Sequence, residues 1–391
     1  MASLTAKELK AVAIVSLIIS LRLLGIFIVL PIFSAYAIDY PGATLPLIGV
    51  AFGIYALVQS LFQIPFGWAS DRFGRKRPIL IGLFLFSLGS LACGMASNIH
   101  QLILARMFQG LGAIGAVATA SLGDLTRPEV RAQAFTLTGI SIGFAFLLGL
   151  ISGPYLAYAM SFHSLFYILS ILGFASLVLV GLYFPQTSTI HPQKTLPRMD
   201  ISIIARKGIR LLYLATFILS LTLNMFFFIY PLSLAQIGID RAHLWKTYIV
   251  VLIPSALLVF PYVRSAEKRG KFKMPIRIGW IFVVVAFLCY YSWGTNMWTL
   301  YAAGGCFFFG YTLFQSLLPA FLTQQIPPER RGSATGLYYL SGFLGASFGG
   351  MLSGILYHID PMVPLIFGLF LIMVWFLLGL PIPPGKKETL L

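Results

Sequence analysis

The sequence predicts an all-α membrane protein, with twelve transmembrane helices in two pseudo-symmetric six-helix bundles. Three observations predict it. Hydrophobic residues fill 59% of the 391 positions and charged residues only 10%, against about 25% charged in soluble domains. Twelve apolar stretches reach the roughly 20 residues a helix needs to cross a bilayer. The second half of the chain also repeats polar features of the first. The period-two alternation of a membrane β-barrel is missing.

The predicted spans lie near 11–37, 46–69, 78–97, 100–123, 133–157, 165–185, 209–235, 245–263, 275–293, 299–325, 334–357 and 364–382. The first ends near Ala35-Tyr36-Ala37, which resembles a signal-peptidase site. It is too long for a signal h-region and contains Arg22, so it reads as an uncleaved helix. The second carries Gln59 and Gln63, four apart and so on one face. A tight basic turn follows, Gly67-Trp-Ala-Ser-Asp71-Arg72-Phe-Gly74-Arg75-Lys76. Gly67 is expected to let two helices approach closely and Gly74 to permit the reversal. Asp71, the one acid among the cations, is free to pair with an arginine or sit at a helix N-terminus. The fourth span holds Arg106 and Gln109 and runs into Asp124. The fifth has the small-residue pairs Gly139/Gly143 and Gly149/Gly153, then Pro154, which removes a backbone donor. A Pro/Ser/Thr-rich, then basic segment at 186–208 divides the chain into bundles at 1–185 and 209–391. In the second bundle, the seventh span offers Asn224 and Tyr230 around Phe226-Phe227-Phe228, and the tenth Tyr311 and Gln315. The eleventh carries Gly345/Gly349.

A shift of 200 residues aligns Pro128, Glu129, Arg131, Ala134, Leu137, Ser141 and Gly149 with Pro328, Glu329, Arg331, Ala334, Leu337, Ser341 and Gly349. A shift of 196 lays Asp71–Arg75 on Glu267–Lys271, a worn copy of the basic turn. Two parallel six-helix repeats imply halves that rock around a site near the bilayer midplane.

The net charge of +16 does not mark a nucleic-acid binder. All Lys and Arg except Arg22, Arg106, Arg241 and Lys246 fall in the tails and the loops on one predicted side. This is the positive-inside pattern, with both termini expected in the cytoplasm. Cys93, Cys289 and Cys306 sit inside spans with no disulfide or metal spacing. No nucleotide loop, metal-ligand cluster or nucleophile–base pair is evident, so an enzyme, a cofactor and ATP drive are not expected.

The Gly67–Lys76 turn resembles the loop between helices 2 and 3 of major facilitator transporters. Arg106-Met-Phe-Gln109-Gly resembles the family's helix-4 motif, and Gly149-x-x-x-Gly153-Pro154 the glycine-proline motif of its drug/proton antiporter branch, without the usual following glycine pair. Leu30-Pro31, the Gln59–Pro65 segment and Asp124 are similar to a bacterial subgroup of the YajR type. Members of that subgroup can carry a C-terminal soluble domain, which a chain ending at Leu391 is expected to lack. The resemblance implies a major facilitator fold, a monomer in a bacterial inner membrane and proton coupling. It further implies that Gly67, Asp71, Arg72, Gly74, Arg75, Lys76 and Asp124 form a conformational latch.

Helices 1, 4, 7 and 10 would then line the cavity. Arg22, Gln59, Gln63, Arg106, Gln109, Asn224, Tyr230, Tyr311 and Gln315 are the candidate substrate and proton pathway, and Gly149, Gly153 and Pro154 a packing motif. An arginine at the bilayer centre costs at least about 2.5–3.5 kcal/mol, so Arg22 and Arg106 should face a cavity or a partner. No Asp or Glu lies deep in a span; Asp39, Asp71, Asp124, His163 and His358 are the titratable candidates. The expected activity is proton-coupled export of amphipathic small molecules, either drug-like compounds or an anionic metabolite such as a siderophore. The alternative is import or proton symport of a small organic anion.

Overall fold

The computed structural model describes residues 4–127, 129–185, 207–269, 273–291, 296–326 and 331–379. Residues 186–206 of the expected linker lie outside the described residues. The chain divides into one unit of Met1–Arg198 with Arg241–Trp245, and a second of Met199–Asp240 with Lys246–Leu391.

The first unit contains α1 (Ala6–Val29), α2 (Phe33–Ala37), α3 (Leu45–Phe73), α4 (Lys76–Met95), α5 (Ile99–Gly110), α6 (Gly115–Asp124), α7 (Arg131–Ala159) and α8 (Phe162–Tyr183). The second contains α9 (Lys207–Gln236), most of α10 (Leu244–Arg269), α11 (Lys273–Tyr291), α12 (Met297–Gln325), α13 (Arg331–Ile359) and α14 (Val363–Leu378). Ten described segments are long and apolar enough to cross a membrane. With the 29-residue α12 and the shorter apolar α14 they make the twelve spans.

Polar residues set the helix starts. Thr5 and Glu8 form a reciprocal capping box on α1, satisfying donors that a helix N-terminus leaves bare. Thr44, Asn98, Ser161 and Asn296 cap α3, α5, α8 and α12 by accepting one backbone N–H each.

Two expected single helices are broken. The stretch read as 11–37 stops at Val29 and resumes as α2 after Ile32, because Pro31 has no N–H and its ring crowds the carbonyl of the preceding turn. The stretch read as 100–123 is interrupted between Gly110 and Gly115. A Cβ on Gly110 would lie 2.7 Å from the Tyr55 carbonyl, and one on Gly112 would lie 2.5 Å from the Gly82 carbonyl. The interruption is wedged between α3 and α4 at backbone contact.

The repeat reappears as one packing motif used twice. In the first unit α7 lies along α1, and a Cβ on Gly153 would fall 2.0 Å from the Ile28 carbonyl. In the second unit α13 lies along α9, and Cβ atoms on Gly345 and Gly349 would fall 2.1 and 2.3 Å from the carbonyls of Phe217 and Leu221. Only glycine admits backbones this close. Gly149 joins the first seam against Phe27, and α7 runs unbroken through Pro154. Gly139 and Gly143 do not pack as expected. Both are exposed and a Cβ on either meets nothing within 4 Å, since that stretch of α7 turns its glycine face away from α1.

Candidate functional site

The first unit buries two guanidiniums around one phenol. Arg22 on α1 and Arg106 on α5 are 3% and 5% exposed. Arg22 Nη2 donates to the Gly112 carbonyl at 2.8 Å, in the break between α5 and α6, and to the Tyr55 hydroxyl at 3.4 Å. Arg106 lies 4.7 Å over the Tyr55 ring and 5.4 Å from that of Phe33. Its Nη1 donates to Gln109 Oε1 at 2.7 Å, and its Nε reaches the Ala51 carbonyl at 3.3 Å. Gln109 in turn donates to Ser90 on α4 at 2.8 Å. No Asp or Glu forms an ion pair with either arginine among the described residues. The low local dielectric makes every unmatched polar atom here expensive.

Several atoms are unmatched. Arg22 Nε, both amide atoms of Gln59 and Nε2 of Gln63 have no hydrogen-bond partner among the described residues. Gln59 is fully buried, one helical turn beyond Tyr55 on α3. Gln63, one turn further, accepts through Oε1 from the Ala116 N–H at 3.0 Å, in the first turn of α6. The expected residues Arg22, Gln59, Gln63, Arg106 and Gln109 therefore gather along α3 and the broken α5–α6. Tyr55, which touches both guanidiniums, and Gly112 are additions; a tyrosine among 18 carries no mark in sequence.

The turn between α3 and α4 forms an ion cluster. Arg75, 9% exposed, donates through Nε to Asp124 Oδ2 at 2.7 Å, and through Nη1 to Asp71 and to Ser70 Oγ, the latter at 2.6 Å. Burial opposes the Arg75 charge, but the bonds and charges of Asp124 and Asp71 outweigh it and push its pKa above the ordinary value. Gly74 supplies the reversal at φ 81°. Lys76 Nζ donates to the Gly181 carbonyl at 2.8 Å, near the end of α8, where a helix dipole favours a cation. Arg72 stands apart from the ion cluster, over Trp68 and Phe73 at 5.6 and 5.5 Å. A Cβ on Gly67 meets nothing within 4 Å among the described residues, so no close approach at it is seen within the first unit.

A second ionic contact was not anticipated. Glu8 binds the Arg127 guanidinium at 2.9 and 3.1 Å and its backbone N–H at 3.1 Å. These bonds push the Arg127 pKa up. The Thr5-x-x-Glu8 spacing of a capping box was the available signal.

In the second unit, Tyr230 is a core residue, not part of a cavity wall. It is fully buried, donates to the Leu300 carbonyl at 3.2 Å and stacks on Phe226 at 4.6 Å. Phe226 stacks in turn on Phe307, which faces Tyr311. The Phe226–Phe228 run closes this aromatic slab from within. Asn224 turns back onto the Ser220 carbonyl at 2.9 Å, and Gln315 is exposed.

The Major Facilitator Superfamily model matches residues 15–211 and 212–391. The chain belongs to that superfamily; it is a multi-pass membrane transporter and not an enzyme. It is 34% identical over 354 residues to the inner membrane transport protein YajR of Escherichia coli, covering 90% of this chain and 78% of that one. It is 37% identical over 143 residues to the class B tetracycline resistance protein of Escherichia coli, 36% of this chain and 35% of the other. A crystal structure of the D-xylose-proton symporter superposes with TM-score 0.79 at 14% identity, over 98% of this chain and all of that one. This last likeness shows the fold.

Proposed function

We propose that this transporter exports amphipathic small molecules by alternating access, driven by proton antiport, as a monomer in a bacterial inner membrane with both termini cytoplasmic. The observation that carries the reading is the Arg22–Tyr55–Arg106 cluster, a buried polar constellation too costly to keep as mere scaffold. Similarity over about a third of the chain to a tetracycline resistance protein supports efflux of drug-like compounds. The Asp71–Arg75–Asp124 cluster serves as the conformational latch. Its ionic bonds hold one state and yield in the other, with Gly74 shaping the turn and Gly67, Arg72 and Lys76 flanking it.

Flux in proteoliposomes tests this. An imposed proton gradient opposite to substrate movement should accelerate accumulation of an amphipathic dye or drug, and a protonophore should abolish it. Acceleration by a gradient running with the substrate would instead establish import or symport of an organic anion. Two buried guanidiniums without an ion-paired carboxylate among the described residues suit an anionic substrate in either direction.

A further inference from the structure

The buried side-chain atoms left unmatched on α1 and α3 of the first unit are mostly donors. Arg22 Nε, Gln59 Nε2 and Gln63 Nε2 are all N–H donors, and each belongs to a buried side chain. The local acceptors are already used. The Gly112 carbonyl takes Arg22, Gln109 Oε1 takes Arg106, and Gln63 Oε1 takes the Ala116 N–H. Two free acceptors remain among the described residues here: Gln59 Oε1, whose amide also carries two free donors, and the Ser20 hydroxyl on α1, which can donate as well. Around these donors stand two guanidinium charges and no described carboxylate in ion-pair contact. The break that places Gly112 against Arg22 also opens the start of α6, whose dipole adds positive potential on the same side. Phe33, Phe86 and the Tyr55 ring face the guanidiniums and exclude bulk water. A donor-rich, doubly cationic, apolar-walled site lacks one thing, a compact anion.

We infer that the Arg22–Tyr55–Gln59 cluster is a carboxylate-binding site, so that the transported molecule is an amphipathic organic monoanion and not a lipophilic cation. Arg22 supplies the counter-charge through Nε and Nη, Gln59 donates to the second carboxylate oxygen, and Arg106 adds field from across Tyr55. The apolar remainder of the ligand packs on the aromatic rings. This rests on the transporter reading but not on the direction of flux.

The experiment is thermal unfolding of the purified full chain in chloride-free sulfonate buffer, with 4-phenylbutyrate, its neutral amide and sodium chloride as probes. A ligand that binds only the folded state raises the melting temperature. Phenylbutyrate should raise it in a saturable manner and the amide should not. Arg22→Gln should remove the shift. Should Arg22→Gln fail to fold, Gln59→Leu decides. It removes an amide with no protein partner, so the ligand-free melting temperature should hold or rise, while phenylbutyrate affinity falls about tenfold or more. Equal stabilisation by the amide, or an undiminished shift in Gln59→Leu, overturns the site. A shift from chloride as large as that from phenylbutyrate also overturns it, in favour of a resident inorganic ion. Absence of flux in proteoliposomes despite Arg22-dependent binding would instead overturn the transporter reading.

Discussion

Arg22 donates to the carbonyl of Gly112 across 2.8 Å, joining the first helix of the chain to the break in the fourth span. At the break that carbonyl accepts from the Ile114 N–H at 3.0 Å in place of a regular α-helical partner, and its second lone pair is open to Arg22. The two features are complementary: the break supplies an acceptor, and the arginine satisfies it where water is excluded. Replacing Gly112 by alanine should push α5–α6 away from the Gly82 carbonyl, 2.5 Å from the new Cβ, and weaken this bond. We expect a loss of about 1–3 kcal/mol, typical of overpacking, read as a lower melting temperature together with weakened ligand binding.

The glycine seams separate two classes of substitution. Gly153→Ala sets a Cβ 2.0 Å from the Ile28 carbonyl and should cost about 1–3 kcal/mol. Gly139→Ala, in open space on the same helix, should be neutral or stabilising by up to about 1 kcal/mol. Thermal unfolding of the two variants side by side checks this.

The Arg75 cluster predicts an asymmetry between its acids. The Asp124 side chain is 22% exposed and that of Asp71 47%. Asp124→Asn should destabilise by about 1–3 kcal/mol, as loss of a charged hydrogen bond to a buried group does. Asp71→Asn should cost less than about 1 kcal/mol, yet lower flux with expression intact. Flux unchanged in Asp71→Asn would remove the latch.

Much of this was written in the sequence, because polar residues stand out against an apolar chain. The Gly67–Lys76 turn, Arg22, Arg106, the paired glutamines and the 200-residue repeat were readable for that reason. What escaped depends on partners distant in sequence. Gly67 and Gly153 look equivalent along the chain, yet a Cβ on the first meets nothing within 4 Å among the described residues and one on the second meets a carbonyl. Tyr55 and Tyr230 are equally ordinary aromatics, yet one stands between two guanidiniums and the other fills a core. The break at Gly112 did leave a signal, Gly110, Gly112 and Gly115 within six residues, but the apolar run continues through them and reads as one span. Its position is set by contact with α3 and α4.

Tyr230→Phe follows from that distinction. It deletes only the bond to the Leu300 carbonyl, which lies inside α12, and should cost about 0.5–1.5 kcal/mol for one hydrogen bond, without changing ligand selectivity. A competition assay that found altered selectivity would return Tyr230 to the binding surface.

The bond from Arg22 to Gly112 spans 90 residues of chain, and this separation orders events during synthesis. The first span reaches the membrane carrying a charge worth about 2.5–3.5 kcal/mol against insertion, while its acceptor has yet to be translated. The helix itself is apolar enough to stay in lipid, with mean hydropathy 2.7, the highest of the ten candidate spans; what it lacks until the fourth span follows is the Gly112 carbonyl for Arg22. The emerging protein therefore passes through a stage at which its first arginine is already in place and the carbonyl that will receive it is not.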